Sequence, residues 1–295
     1  MMKKTFLVLV LAVFAVAAFW WGPRASGADA AAVIAQAQAL SDQEKFEESN
    51  QLLMDLAKQD PDHPDVYWKI AENYYDLGER INIENDKDKK LSMYKQCEAW
   101  AKKGYDKNPG LADNAFWMAV GMSQQAQTNG IAVTLLSDRT LARRIEDFYL
   151  KSSQAKEYHY RTKNADTISS AYFALGQFYR KVPDFFIVKI LMGTKGDINL
   201  SVTNCQKAVE MYPKNVEYNK ELGVSLLCRG EKDDNDADTA EGKKWLQKAM
   251  ALPAENALDR IDQSDSKKLL ADPSLACGYG RVQQEEVSED AFKNK

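Results

Sequence analysis

The sequence predicts an all-α protein in which helix hairpins repeat along the chain as a solenoid. Only 15 glycines and 8 prolines occur in 295 residues, and the content of Ala, Lys, Leu and Gln favours long helices over strands. Hydrophobic residues make up 45% of the chain and charged residues 28%, a composition that is ordinary for a globular protein and sufficient for a core. Prolines recur after helical segments, which indicates internal repetition.

The first element is an export segment, which we place at residues 1–28. Two lysines precede an apolar run from Phe6 to Trp21, and small residues around Ala28 follow. This order is typical of a secretory signal. The run is longer than an ordinary signal core and ends in two tryptophans, so an uncleaved anchor in the inner membrane is the alternative. Either interpretation predicts that the rest of the chain lies in the periplasm.

The charge of the chain narrows the class of partner. Residues 1–28 contain three basic residues and no acidic ones, and the remainder has 36 Lys and Arg against 43 Asp and Glu, a net charge of −7. An acidic chain does not attract nucleic acid or an anionic membrane surface. We therefore expect no nucleic-acid partner, and contact with a membrane only if the N-terminal segment stays uncleaved.

Two kinds of segment alternate along the chain. Segments of the first kind close on Pro61, Pro109, Pro213 and Pro253, for example QKAVEMYP, and a proline stops a helix. Segments of the second kind carry large residues at helical spacing and lie at 66–78, 114–122, 171–179 and 216–227. Each proline is therefore predicted to end the second helix of a hairpin, helix B, that was opened by a helix A.

These segments resemble the tetratricopeptide repeat, a helix hairpin of about 34 residues. The residues that match its helix A are Tyr172, Leu175, Gly176 and Tyr179 in one repeat and Leu222, Gly223 and Leu226 in the last. Those that match helix B of the first repeat are Phe46, Ser49, Leu53, Leu56 and Pro61. The resemblance implies an α-solenoid over residues 29–272, in which small residues let helices A and B approach closely.

Insertions enlarge several of the repeats. The polar stretch INIENDKDKK at 81–90 is predicted to be a solvated loop, and residues 131–159 of the third repeat to add one or two extra helices before a connector near 162–166. ENALDRIDQSDSKKLLAD at 255–272 is predicted to cap the array. The polar residues 273–295 are predicted to form a flexible tail.

The apolar run VPDFFIVKILMGTKGD at 182–197 interrupts the fourth repeat between its helices A and B. We expect Pro183 and Asp184 to start a short extra helix, glycines to end it, and Asp197 to cap the following helix. Two uses fit its apolar side chains. They pack against the equally apolar IAVTLL segment of the third repeat, or they form the lip of a groove.

The positions of these insertions resemble those of the periplasmic T component of TRAP transporters and of the related regulators of microtubule dynamics. That resemblance implies a non-catalytic, exported interaction protein. It would bind a protein partner, such as a periplasmic solute-binding protein, or an apolar small ligand in a helical groove. The alternative is a structural scaffold that holds together a complex of the cell envelope.

The resemblance also implies that the fifth residue of a repeat faces the concave groove. Trp68, Phe116 and Phe173 hold that position in three repeats, and Tyr75 and Arg180 are polar neighbours on the same face. We predict these five side chains as the partner-binding set, because aromatic residues and arginine dominate binding surfaces. The alternative is that the aromatic residues fill the core beneath the extra helices.

Motifs for catalysis are missing from the sequence. His63 and His159 are its only histidines, and neither a phosphate-binding loop nor a dinucleotide fingerprint occurs. We therefore expect neither an enzyme nor a cofactor or metal site. No cysteine follows the apolar run at a lipid-attachment spacing, and no CxxC pair occurs. Cys228 and Cys277 are the favoured disulfide pair, whereas Cys97 and Cys205 are expected to be buried small hydrophobes.

Overall fold

The computed structural model describes residues 27–285, 287–288 and 290–293, and in these ranges the chain is α-helical without strands. Most of the predicted export segment, 1–28, lies outside the described residues. No helix within them is both long and apolar enough to span a membrane. The helices are α1 (Gly27–Asp42), α2 (Phe46–Gln59), α3 (Val66–Glu79), α4 (Ile83–Lys107), α5 (Ala112–Asn129), α6 (Ile131–Ser137), α7 (Leu141–Ser153), α8 (Thr167–Lys181), α9 (Phe186–Met192), α10 (Ile198–Met211), α11 (Val216–Lys232), α12 (Asp236–Ala251), α13 (Ala257–Ala271) and α14 (Asp290–Lys293).

The helices pair in chain order, as the repeat pattern predicts. The hairpins are α1 with α2, α3 with α4, α5 with α7, α8 with α10, and α11 with α12, and α13 packs on the last of them. The helices that open the hairpins also contact one another in the order α3, α5, α8, α11, α13. The predicted solenoid of tetratricopeptide-like hairpins, with a capping helix at its end, is confirmed.

Glycine allows the two helices of a hairpin to come close. A Cβ atom added to Gly176 in α8 would lie 2.2 Å from Cys205 Sγ in α10. Gly223 in α11 and Gly242 in α12 face each other, and a Cβ on either would lie 2.9 Å from the carbonyl oxygen of the other. Both distances are far below van der Waals contact, so a larger residue would force the helices apart.

The two predicted insertions fold as short helices in equivalent places. α6 lies between helices A and B of the third repeat, and α9 lies between those of the fourth. α9 begins at Phe186, slightly later than predicted, and ends at Gly193, which has a left-handed φ of +76°. Asp197 caps α10 as predicted, because its carboxylate accepts hydrogen bonds from Asn199 N and Leu200 N.

The apolar run at 182–197 packs mainly on neighbours other than the predicted one. α9 lies against α7 and the C-terminal α14. Its Val188 and Met192 share a hydrophobic core with Ile131 and Leu135 of α6, the segment predicted as its partner. The run therefore belongs to the same core as IAVTLL, but α7 and α14 provide its main contacts.

The polar stretch at 81–90 is helical and not the predicted loop. Asn82 caps the start of α4 by accepting a hydrogen bond from Glu84 N, and Asp86, at a kink, accepts one from Lys89 N. Lys90 is buried and donates to Gly78 O and Ile81 O at 2.8 and 3.0 Å. Two successive caps of this kind start a helix even in a sequence without apolar periodicity.

The chain after α13 packs on the solenoid, where a flexible tail was predicted. Ala276 and Phe292 are 0% and 2% exposed. Glu285 accepts hydrogen bonds from Ile131 N and Ala132 N at the start of α6. We call residues 273–285 the strap. Its anchors are single residues that contact distant parts of the chain, which a local sequence pattern does not reveal.

A disulfide joins Cys228 in α11 to Cys277 in the strap, which confirms the favoured pairing. Cys97 and Cys205 are free and buried, as expected. Burial raises the pKa of the Cys205 thiol to about 12 and that of Cys97 well above its ordinary value. Both thiols therefore stay protonated and act as small apolar groups in the helix packing.

Candidate functional site

A cavity of about 570 Å³ lies on the inner side of the solenoid. Its walls come from α3, α5, α8, α11 and α13, which are the inner helices, together with the inserted α6, helix α7 and the strap. This volume is in the range of small-molecule sites. The cavity exists because the hairpins curve around it and the strap passes across the open side.

One end of the cavity is apolar. It is formed where α5, α6, α7 and α8 meet, and all its apolar side chains belong to the largest hydrophobic core. They are Phe116, Val120, Ile131, Leu135, Ala142, Ile145, Phe178 and Val182. The inserted helix α6 thus supplies part of this wall. An aliphatic or aromatic group of a bound molecule would leave water here at a gain of roughly 25 cal/mol per Å².

The other end is acidic and is built on one face of α3. Glu72, Asp76 and Glu79 are spaced by three or four residues, which places them on the same side of the helix. Burial, with neighbouring carboxylates, raises the pKa of Glu72 to about 7 and that of Asp76 to about 8. Each group therefore changes its charge near neutral pH, which is unusual for a carboxylic acid.

Arg281 of the strap closes the acidic end. Its guanidinium lies 3.0 Å from Glu79 in α3 and 2.9 Å from Asp262 in α13, and it also donates to Glu217 in α11. Although burial opposes it, these carboxylates hold the pKa of Arg281 well above its ordinary value. One side chain thus connects the second hairpin with the last one and with the capping helix.

A second buried pair fixes the same wall. Lys220 Nζ lies 2.5 Å from Asp262 Oδ1, and both side chains are 1% exposed. Burial opposes the charge on Asp262, but Arg281 and Lys220 hold the pKa of its carboxyl below the usual value. Removal of one partner from a buried pair leaves an uncompensated charge, which costs about 3–5 kcal/mol. The acidic wall is therefore held in place by paired charges.

Three polar atoms on the cavity wall have no partner within the described part of the chain. They are Trp117 Nε1 and Gln124 Oε1 on α5 and Arg281 Nε in the strap. Trp117 is 6% exposed, so its N–H is far from bulk water. Lys181 Nζ, on the same wall, donates to Gln127 Oε1 at 2.5 Å. Burial and the nearby Arg180 lower the pKa of Lys181 to about 7.

Three of the five predicted binding residues line this cavity. Tyr75, Phe116 and Phe173 contribute to its wall, and Phe173 stacks on Tyr218 with the ring centroids 5.2 Å apart. Trp68 is 2% exposed and lies beside a smaller cleft, where its ring packs against Tyr160. The packing of Trp68 is what the alternative interpretation of the aromatic residues as core predicts.

Arg180, the fifth predicted residue, points away from the cavity. Its side chain is 0% exposed and lies 2.6 Å from Glu221. It also donates to the carbonyl oxygens of Ala276, Cys277 and Tyr279 in the strap. Arg180 therefore fastens the strap to the solenoid and is not available at the groove surface.

Sequence reasoning missed the residues that come from distant parts of the chain. Asp76, Glu217, Asp262 and Arg281 all line the acidic end. The repeat spacing could have placed Asp76 one turn after Glu72 on the inner face of α3. Nothing in the sequence places Arg281 beside Glu79, because 202 residues separate them.

The two histidines lie together but outside the cavity. His159 Nδ1 is 2.7 Å from Asp65 Oδ1, and the Asp65 backbone N–H donates to His63 Nδ1. The groups that face them form no metal site: within the described ranges, no three His, Cys, Asp or Glu side chains are placed to hold a metal ion.

Comparison with known proteins gives one match to a family by sequence, over part of the chain. The sequence model of a family described as Regulator of microtubule dynamics protein 1-3 matches residues 33–146. No curated protein matches the sequence significantly.

Two solved structures of MamA align with the chain at low sequence identity. One is 12% identical, covers 79% of this chain and 96% of its own, and gives a TM-score of 0.39. MamA 41-end from Desulfovibrio magneticus RS-1 is 13% identical, covers 76% of this chain and 97% of its own, and gives a TM-score of 0.41. The helix hairpins of the chain, and the residues in them that match the repeat signature, make it a tetratricopeptide-like helical repeat protein.

Proposed function

We propose that this protein is a non-catalytic binding protein that holds a small amphiphilic ligand in its inner cavity. The observation that carries the proposal is the cavity itself, which combines an apolar end with a charged end on the concave side of the inner helices. A wall of this kind matches a molecule that has an apolar portion and one polar head. The unpartnered Trp117 Nε1 and Gln124 Oε1 on that wall support the proposal, because buried polar groups are normally hydrogen-bonded.

We further propose that the protein works in the periplasm, either free or anchored by residues 1–28. The pattern of the N-terminal sequence supports this location. A disulfide also suits an oxidising compartment. The partner we propose is a periplasmic solute-binding protein of a TRAP transporter, to which the solenoid would present its outer surface. This proposal depends on the resemblance of the insertions to those of the T component.

Filling the apolar end tests the ligand proposal. Ala174 lines the cavity and is 8% exposed, so Ala174→Phe would occupy space that the ligand needs. We expect decanol to raise the Tm of the wild-type protein with increasing concentration and to leave that of Ala174→Phe unchanged. Ala35→Phe is the matched control, because Ala35 is exposed on α1. An equal response of all three proteins to decanol would contradict the proposal.

The second candidate function is a scaffold for an envelope complex. Phe186 and Ile190 of α9 favour it, because they lie one turn apart and are 74% and 62% exposed. Exposed apolar side chains in a pair suit contact with another protein. The same variant separates the two functions. A scaffold would keep its partner in the Ala174→Phe variant and would show no response to decanol in the wild type.

A further inference from the structure

We propose that the cavity selects ligands whose polar head is an organic cation, namely an alkylammonium group that carries an apolar chain. The acidic end would hold the ammonium head and the apolar end would hold the chain. This inference rests on the proposed binding function and names the chemical class of its ligand. Four features of the described residues support it: carboxylates that have no ion pair or only a long one, aromatic walls, an unsatisfied acceptor, and cations that are paired with carboxylates.

The carboxylates of the acidic end differ in how they are neutralised. Glu79 is paired with Arg281 at 3.0 Å. Glu72 has no hydrogen bond or ion pair to any described residue, and the nearest cation to Asp76 is Arg80, at 4.0 Å. Arg80 lies closer to Glu44, at 3.1 Å. Glu72 thus faces the cavity without an ion pair to a described residue, and Asp76, one turn away on α3, has only the long one to Arg80.

The surroundings of these two carboxylates are mostly acidic. Glu72 faces Lys69 on its own helix, Asp113 of α5 and Asp42 of α1. Asp76 faces Glu72, Glu79 and Arg80 on its own helix and Glu44 between α1 and α2. Repulsion and burial therefore penalise the ionised forms. A bound cation would relieve this penalty, and by linkage its affinity should increase as the pH rises from about 6 to about 8.5.

Aromatic rings line the cavity at both ends. Those that line the cavity are Tyr75, Phe116, Trp117, Tyr149, Tyr160, Phe173, Phe178, Tyr218 and Tyr279. Tyr75 and Trp117 pack with ring centroids 5.5 Å apart and connect the acidic end with α5. The face of an aromatic ring attracts a quaternary or primary ammonium group by about 0.5–2 kcal/mol. A site with carboxylates and several aromatic rings is therefore selective for an organic cation.

The charged side chains of the wall fit a cation better than an anion, because eight Asp and Glu residues line the cavity against five Lys and Arg. The unpartnered oxygen of Gln124 can accept a hydrogen bond from an ammonium N–H, whereas Trp117 Nε1 and Arg281 Nε are unpartnered donors. Lys181 donates to Gln127, and Lys220 and Arg281 are paired with carboxylates. An anionic head at these cations would lie beside the carboxylates that pair with them.

Titration calorimetry with three ligands of the same chain length tests the selectivity. The probes are decylammonium, decanol and decanoate, added to the purified protein at pH 8. We expect decylammonium to bind about tenfold more tightly than decanol, and decanoate to bind more weakly than either. If decanoate or decanol binds as tightly as the cation, the inference is wrong while the cavity function stands. If none of the three binds, the proposed function fails too.

A double substitution tests the residues. Glu72→Gln with Asp76→Asn keeps the size of both side chains and removes their charge, so we expect a loss of about tenfold in affinity for decylammonium and no change for decanol. Glu84→Gln with Asp88→Asn is the matched control, because these carboxylates have the same spacing on α4 and are exposed. Equal cation affinity in the two double variants would overturn the assignment of Glu72 and Asp76. The comparison of ligands in the wild type remains valid if a variant fails to fold.

Discussion

At the scale of single residues, the cavity depends on which charges are paired. Lys220 pairs with Asp262 and Arg281 with Glu79, whereas Glu72 has no ion pair to a described residue and Asp76 has only a long one, to Arg80 at 4.0 Å. The repeat pattern could predict Tyr75, Phe116 and Phe173, because a solenoid presents the same position of each repeat to its inner side. It failed for Arg180, whose partners are Glu221 and three strap carbonyls that only the folded chain brings near.

The stability of the protein should depend on pH through Glu72 and Asp76. Their pKa values are about 7 and about 8 in the folded protein, against roughly 4 in an unfolded chain. Between pH 4 and pH 8 the folded state therefore binds more protons than the unfolded state. This contribution lowers the free energy of unfolding as the pH rises from about 4 to about 8. It is an unfavourable contribution at pH 8 and absent at pH 4.

The variant Glu72→Gln with Asp76→Asn isolates this effect. At pH 8 we expect its Tm to exceed that of the wild type by about 2–4 °C for each kcal/mol of relieved repulsion. At pH 4 the two proteins should unfold at nearly the same temperature, because the contribution of the wild-type carboxylates is absent there. Thermal unfolding followed by circular dichroism measures both. A Tm difference that is the same at pH 4 and pH 8 would show that these carboxylates do not titrate near neutrality.

At the scale of elements, the inserted helices and the strap form a cavity on the inner face of the repeat array. α6 and α9 occupy equivalent places in the third and fourth repeats, and α6 contributes Ile131 and Leu135 to the apolar wall. The sequence could predict both insertions, because the distance between signature residues exceeds one repeat. It could not predict the helical start of α4 at 81–90, since that start depends on two caps, nor the path of the strap.

The disulfide should stabilise the strap measurably. It closes a segment of 49 residues between Cys228 and Cys277, for which loop-closure entropy gives a contribution of about 4 kcal/mol. We expect Cys228→Ser with Cys277→Ser to lower the free energy of unfolding by about 2–4 kcal/mol, measured by urea denaturation. Dithiothreitol should lower the stability of the wild type and leave that of the variant unchanged. Equal stability of the two proteins without reductant would contradict this role.

At the scale of the whole molecule, the curved solenoid and the strap together enclose the cavity. Arg281 connects the second hairpin with the last hairpin and the capping helix, and Glu285 connects the strap with α6. The curvature follows from the resemblance to helical repeats, so a concave inner face could be predicted. The closing of this face by the strap could not be predicted. Some of the contacts that close it join residues more than a hundred positions apart, and the others depend on one side chain in a polar segment.

The central claim is that the enclosed cavity holds an amphiphilic ligand, and the position of a heavy atom on such a ligand tests it most directly. Crystals of the protein grown with 10-bromodecan-1-ol would give the place of the bromine by anomalous scattering. We predict a peak at the apolar end, in contact with Ile145 and Phe178 of the cavity wall. A peak on the outer surface beside Phe186 and Ile190, with the cavity free of bromine, would contradict the account.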